Sequence, residues 1–125
     1  MNRMSWSCLA VALLACGACG SSSGSGVSGS KKLVELSPSD KDKLCSYTVD
    51  VEGGAREVDC GGGLTVTLED KASCITDFDG LSASCTATVD DAEGCAEAEG
   101  KDPCHVDVGA CSALFQCVLA GNGFR

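Results

Sequence analysis

Eleven cysteines in 125 residues constrain this chain more than anything else in it. A short chain this rich in cysteine is a disulfide scaffold rather than an intracellular fold, because reducing compartments keep thiols unpaired. Eight of them lie in the C-terminal part: Cys45, Cys60, Cys74, Cys85, Cys95, Cys104, Cys111 and Cys117. Their spacing shrinks steadily from 15 residues to 6. An even set in an exported chain implies four bridges. Eight cysteines allow 105 pairings, and order along the chain does not choose among them. Helix geometry adds one constraint. On a helix over residues 110–120, Cys111 and Cys117 point about 120° apart, so they reach different neighbours and not each other. The rival use of cysteine is zinc, which usually shows Cys-x2-4-Cys pairs or nearby histidines. The eight contain no such pair, so neither a metal nor another cofactor is expected.

Covalent staples are needed because the core is thin. The only tryptophan is Trp6, and the other aromatics are Tyr47, Phe78, Phe115 and Phe124. A chain with so few large side chains gains little from burial. Local signals nevertheless mark out elements. Ser37-Pro38-Ser39-Asp40 is a capping box with proline at the first helical position, and predicts a helix over residues 38–47 with Leu44 and Tyr47 inward. Val49 and Val51 then alternate with acids as far as Gly53-Gly54. Val58 and Cys60, then Leu64, Val66 and Leu68, alternate on either side of Gly61-Gly62-Gly63 and predict a hairpin. Residues 70–78 place Cys74, Ile75 and Phe78 on one helical face, and Gly80 stops them. Thr88-Val89-Asp90-Asp91 is a second capping box, closed by Gly100 and Pro103. Residues 110–120 carry Cys111, Leu114, Phe115 and Val118 at helical spacing, ended by Gly121. The expected fold is a small disulfide-rich α+β domain, mainly α, with about four short helices and one β-hairpin.

The N-terminal part is of another kind. Residues 1–7 hold Arg3 and no acid, and residues 8–15 are an unbroken apolar run. That run is too short to span a bilayer, which takes about 20 residues, and it fits the apolar region of a signal peptide. Residues 17–30 are almost entirely Gly and Ser. They are expected to bury nothing and to act as a flexible tether reaching roughly 20 Å. The expected organisation is a signal peptide over 1–15, an anchor and linker over 16–31, and a stapled domain over 32–125.

The run ends in Leu13-Leu14-Ala15-Cys16, which resembles the lipobox of bacterial lipoproteins. Leu14 departs from it, since a smaller residue is commoner there. The resemblance implies that Cys16 is alkylated with diacylglycerol and becomes the new N-terminus after cleavage, so that membrane lipid is a partner through Cys16. Residue 17 is Gly and not Asp, which by the same resemblance favours the outer membrane. Cys16-Gly17-Ala18-Cys19 has redox-motif spacing, but Cys16 belongs to the lipobox. The whole pattern resembles uncharacterised small Cys-rich lipoproteins of Gram-negative soil bacteria. The resemblance rests on the lipobox, the tether, Leu36-Ser37-Pro38-Ser39 leading to Leu44-Cys45, Asp59-Cys60-Gly61 before a strand, and the stepped cysteines. It implies no activity.

The domain shows no recognisable chemistry. The net charge is −9, and residues 1–15 contribute only Arg3, so the remainder is more acidic still. That balance disfavours nucleic acid and anionic headgroups, which need clustered Lys and Arg. His105, the only histidine, sits in Asp102-Pro103-Cys104-His105 and reads as a solvated loop residue. No Gly-x-Ser-x-Gly elbow occurs in the domain, and a triad needs a nucleophile, a base and an orienting group. Asp77-Phe78-Asp79-Gly80 has part of a calcium loop, but the Glu required six residues after the glycine is replaced by Thr86. Gly61-Gly62-Gly63 precedes a strand rather than a helix and is no phosphate cradle. Asp90, Glu93 and Glu97 read as a solvated helix face. The expected function is a cell-envelope lipoprotein presenting a non-enzymatic binding or structural module, with a protein or glycan partner. The alternative is a secreted inhibitor or small hydrolase. An inhibitor would use an exposed loop such as Glu52-Gly53-Gly54-Ala55 or the segment around Asn122-Gly123.

Overall fold

Three of the four helices start on side-chain caps, two of which the sequence spells out. In the computed structural model, which describes residues 24–121, helix α1 spans Pro38–Val51. The Ser37 hydroxyl accepts the Asp40 N–H and the Asp40 carboxylate accepts the Ser37 N–H. Lys31 also pairs with Asp40 at 2.6 Å, and this hydrogen bond with that from Ser37 holds the Asp40 carboxyl down at about 2. Helix α2, Lys71–Asp79, is capped by Asp70, which accepts the Ser73 N–H and is held below the usual carboxylate range by it. Helix α3, Val89–Lys101, opens on the Thr88/Asp91 box. Each cap satisfies backbone donors that a helix start leaves without partners, worth about 1 kcal/mol. Helix α4 spans Val108–Gly121. Strands β1, Arg56–Asp59, and β2, Thr65–Leu68, pair antiparallel with Asp59 opposite Thr65. The fold is thus a small, disulfide-rich, mainly α form of α+β, as expected.

Four bridges join all eight cysteines of the domain. Cys45–Cys74 ties α1 to α2, and Cys95–Cys111 ties α3 to α4. Cys85–Cys117 ties the segment before α3 to α4, and Cys60–Cys104 ties the hairpin turn to the segment after α3. Cys111 and Cys117 do point to different neighbours, as their spacing on one helix requires. The core gathers Leu33, Leu36, Leu44, Val89 and Ala92 around the Cys85–Cys117 bridge, with Phe78, Leu81 and Leu114 packed against it.

Several local expectations are corrected. Helix α1 runs one turn past Tyr47, so Val49 and Val51 are helical rather than extended. Cys60 and Leu64 lie in the hairpin turn, not in its strands; the Cys60 N–H donates to the Leu64 carbonyl, and Gly61, Gly62 and Gly63 all take positive φ. Gly100 lies inside α3 rather than ending it. The largest correction concerns the glycine-serine stretch, of which residues 24–30 are described. Val27 is buried in the core, and the Leu33 and Val89 amides donate to the carbonyls of Ala87 and Lys31, both at 2.9 Å. Residues 24–36 form a strap across the head of α3. Its anchor is Glu93, which is buried and accepts the N–H groups of Gly24 at 3.1 Å and Ser25 at 2.9 Å. Expected on a solvated face, Glu93 is instead an internal acceptor. Glycine suits the strap because backbone must pass close: a Cβ on Gly29 would collide with the Asp90 carboxylate.

Candidate functional site

The disulfide frame leaves an open cavity of about 600 Å³ between the ends of α1, α2 and α3, the end of β2, and α4. Its lining joins two chemistries. Glu52, Glu69, Asp77 and Glu99 bring carboxyl groups. Phe78, Leu81, Leu114, Phe115 and Val118 bring apolar surface. Each residue is aimed there by its element. On α3, residues 92, 95, 96 and 99 share one face by helical spacing, and all four line the cavity. Glu93 and Glu97 lie on a neighbouring face turned roughly 100–140° away, where Glu93 holds the strap and Glu97 accepts the Tyr47 hydroxyl at 2.9 Å. That bond, with some burial, pushes the Tyr47 phenol up to about 12.

Helix α4 turns differently from the expectation drawn from its apolar spacing. Cys111 and Cys117 are buried and Leu114 is half-buried, but Phe115 and Val118 are 45 % and 49 % exposed. The two bridges on this helix fix its rotation, so that Phe115 and Val118 form the rim of the cavity instead of core. Leu119 and Val108 are more exposed still.

Glu52 is the unusual residue. It caps the end of α1 and is only 6 % exposed. Burial, then a proton shared with the Glu99 carboxyl, then the charges of Glu99 and Glu69 push the Glu52 carboxyl up to about 7; Arg56 opposes the shift. Glu69 is raised as well, first by burial and then by a hydrogen bond to Asp77, with Asp70 and Glu99 adding like charge. The cavity therefore holds two carboxyl pairs, Glu52 with Glu99 and Glu69 with Asp77. Among the described residues none of the four forms an ion pair. Lys31, Lys41 and Lys71 pair elsewhere, with Asp40, Asp79 and Asp42. The Arg56 guanidinium donates to the backbone carbonyls of Glu52 and Gly54.

The residues singled out from sequence fall elsewhere or take other roles. His105 is exposed beside Asp102, at 3.1 Å from it and outside the cavity. Asp77 and Asp79 lie on the last turn of α2, one facing the cavity and the other paired with Lys41, so they do not form a loop. Glu52, read as part of a candidate inhibitory loop, is buried. Asn122-Gly123, Cys16 and Cys19 lie outside the described residues. Cys95, Glu99 and Cys111 come within metal-ligand range of one another, but the two sulfurs are bonded together and offer no thiolate. The cavity itself was not legible in the sequence. Its acids come from four separate segments, and only the folded chain unites them.

Comparison with known protein families, with curated proteins and with solved structures finds no match to this chain. Four disulfides belong to an oxidising, extracytoplasmic environment. No helix among the described residues is long and apolar enough to cross a membrane.

Proposed function

We propose that the chain is an exported lipoprotein, anchored through Cys16 in the outer membrane, that presents the stapled domain as a non-enzymatic binding module with the cavity as its binding surface. One observation carries the binding part of this reading: a cavity of ligand-pocket size, lined by both apolar and acidic side chains, within a covalent frame. Rigid framing favours binding because a preorganised site loses less freedom when it is occupied. His105 lies outside the cavity and takes no part in this reading. The anchor rests on the resemblance at Leu13-Leu14-Ala15-Cys16, and the extracytoplasmic chemistry of the bridges is consistent with it.

The anchor is tested by growth of a Gram-negative host with labelled palmitate. Label is expected on the wild-type chain and is expected to vanish in Cys16→Ser, which should stay uncleaved or soluble. Label that survives the substitution removes the anchor from this reading. The pair Glu52 and Glu99 favours one second reading, a small hydrolase, since two carboxyls that share a proton can act as acid and base. Turnover of glycan or peptide substrates that disappears in both Glu52→Gln and Glu99→Gln would establish that alternative.

A further inference from the structure

We infer that the cavity takes an amphipathic organic cation: an amine or guanidinium carried on an apolar body, as a peptide with arginine beside phenylalanine presents. This inference rests on reading the cavity as the binding surface and names the chemistry it selects. Glu52 is more than nine-tenths buried and lines the cavity, and its side-chain hydrogen bond goes to another carboxyl rather than to a donor of opposite charge. Burying a carboxylate without a counter-ion is costly, so buried Glu52, with half-buried Glu99 beside it and exposed Glu69 and Asp77 at the opening, lacks its cation. Arg56, the cation that faces Glu52, gives its hydrogen bonds to backbone carbonyls, and Lys31, Lys41 and Lys71 pair with acids outside the cavity. A ligand supplies the missing charge.

The apolar part of the lining argues that the cation is organic. Phe115 and Val118 stand about half exposed on the rim, and an apolar body would cover them. Phe78 and Phe115 line the cavity as well, and aromatic rings attract cations. A bare divalent ion uses none of this. The four carboxyls also sit as two pairs, and among the described residues no three of them converge within ligand range of one another.

The site should respond to pH. Glu52 faces Glu99 of α3, Glu69 beyond β2 and Arg56 of β1, while Glu69 faces Asp77 of α2, Asp70 and Glu99. With one cation against five acids, Glu52 gains charge as the solution passes neutrality from below, and Glu69, also raised, ionises at higher pH than an ordinary carboxyl. Affinity for a cation rises with it.

The test is an NMR titration of the oxidised full chain with N-acetyl-phenylalanyl-arginine amide, alongside its phenylalanyl-glutamate counterpart, spermidine and calcium. The arginine probe is expected to shift the amides of Glu52, Glu69, Glu99 and Phe115. Its affinity should be at least several-fold tighter at pH 8 than at pH 5. Glu52→Gln with Glu99→Gln should weaken it about tenfold while the spectrum stays folded, and Phe115→Ala should weaken it while sparing spermidine. Equal binding of the glutamate probe, no pH dependence, or the same shifts from calcium alone overturns the inference but leaves a binding cavity. Silence from every probe overturns the cavity reading too. Binding that appears only after removal of residues 122–125 would make the occupant the chain's own terminus, and the inference of an external ligand would fall.

Discussion

Glu52 shows how one side chain sets stability against binding. Its carboxyl titrates near 4.5 when unfolded and at about 7 in the fold. Below pH 4.5 both states hold the proton and nothing is lost. Between 4.5 and 7 the unfolded chain ionises while the folded one keeps its proton, so stability falls as pH rises and levels off above 7. The midpoint of urea unfolding is therefore expected to drop across that window, and Glu52→Gln should flatten the drop. At pH 8 the substitution should stabilise by about 1–3 kcal/mol, since a tenfold change in proton affinity is worth about 1.4 kcal/mol. A variant that is more stable yet binds cations less well is the signature of a residue kept for its ligand. A profile unchanged by Glu52→Gln would show that burial there costs nothing. Two glycines of α3 make a second pair at this scale. A Cβ on Gly100 would meet the Val51 carbonyl oxygen at 2.5 Å, whereas one on Gly94 meets nothing within 4 Å. Gly94→Ala should stabilise by up to about 1 kcal/mol through helix propensity. Gly100→Ala should destabilise by about 1–3 kcal/mol because backbone must shift. Melting curves of the two variants should move in opposite directions. In the sequence Gly100 reads as a helix end, because glycine stops helices more often than it admits a neighbour. The close approach of α1 is a tertiary fact with no local mark.

At the scale of elements, capping chemistry was legible and orientation was not. Ser37 and Thr88 announce their helices because a cap is satisfied within three residues of chain, and Asp70, which reads in the sequence as the first residue of its helix, is a cap of the same kind. The rotation of α4 is set by Cys95 and Cys85, which lie 16 and 32 residues away from its cysteines, so its apolar spacing could not show that Phe115 and Val118 face an opening. The strap was missed for a related reason. A Gly/Ser stretch with one valine looks like a tether, yet Val27 finds the core and two amides find Glu93. The strap has a testable consequence. A chain that begins at Lys32 lacks Val27 and the Glu93 bonds, and should melt below one that begins at Gly24. Burial of a valine and loss of charge-assisted bonds together predict about 2–4 kcal/mol. Glu93→Ala in the longer chain should lose part of this and speed hydrogen exchange of the Gly24 and Ser25 amides. Equal melting of the two lengths would mean that the strap merely rests on the surface.

For the whole molecule, the four bridges divide the fold into a helical part and a hairpin. Three of them, Cys45–Cys74, Cys85–Cys117 and Cys95–Cys111, are buried among helices and link neighbours directly. Sequence established that the cysteines pair, because export and an even count imply it, but pairing order needs the fold. The fourth bridge, Cys60–Cys104, is half-buried and closes a span of 44 residues. Among hairpin side chains only Leu68 is fully buried, so this bridge is the main hold on β1 and β2. Reduction depends on access as well as chemistry, and the half-buried sulfurs should react before the buried ones. Under mild reductant, thiol labelling and peptide mapping are expected to find Cys60 and Cys104 free while the other six remain paired. The double variant Cys60→Ser with Cys104→Ser should keep its helical circular dichroism. It should lose the amide protection of the hairpin and part of its stability, about 2–4 kcal/mol for a bridge of this kind. Because Leu68 and Glu69 lie at the end of that hairpin and line the cavity, the variant should also bind the arginine probe more weakly. Collapse of the helices together with the hairpin would show that the stapled frame is a single cooperative unit, and that the cavity's acidic lining cannot be loosened without unfolding the rest.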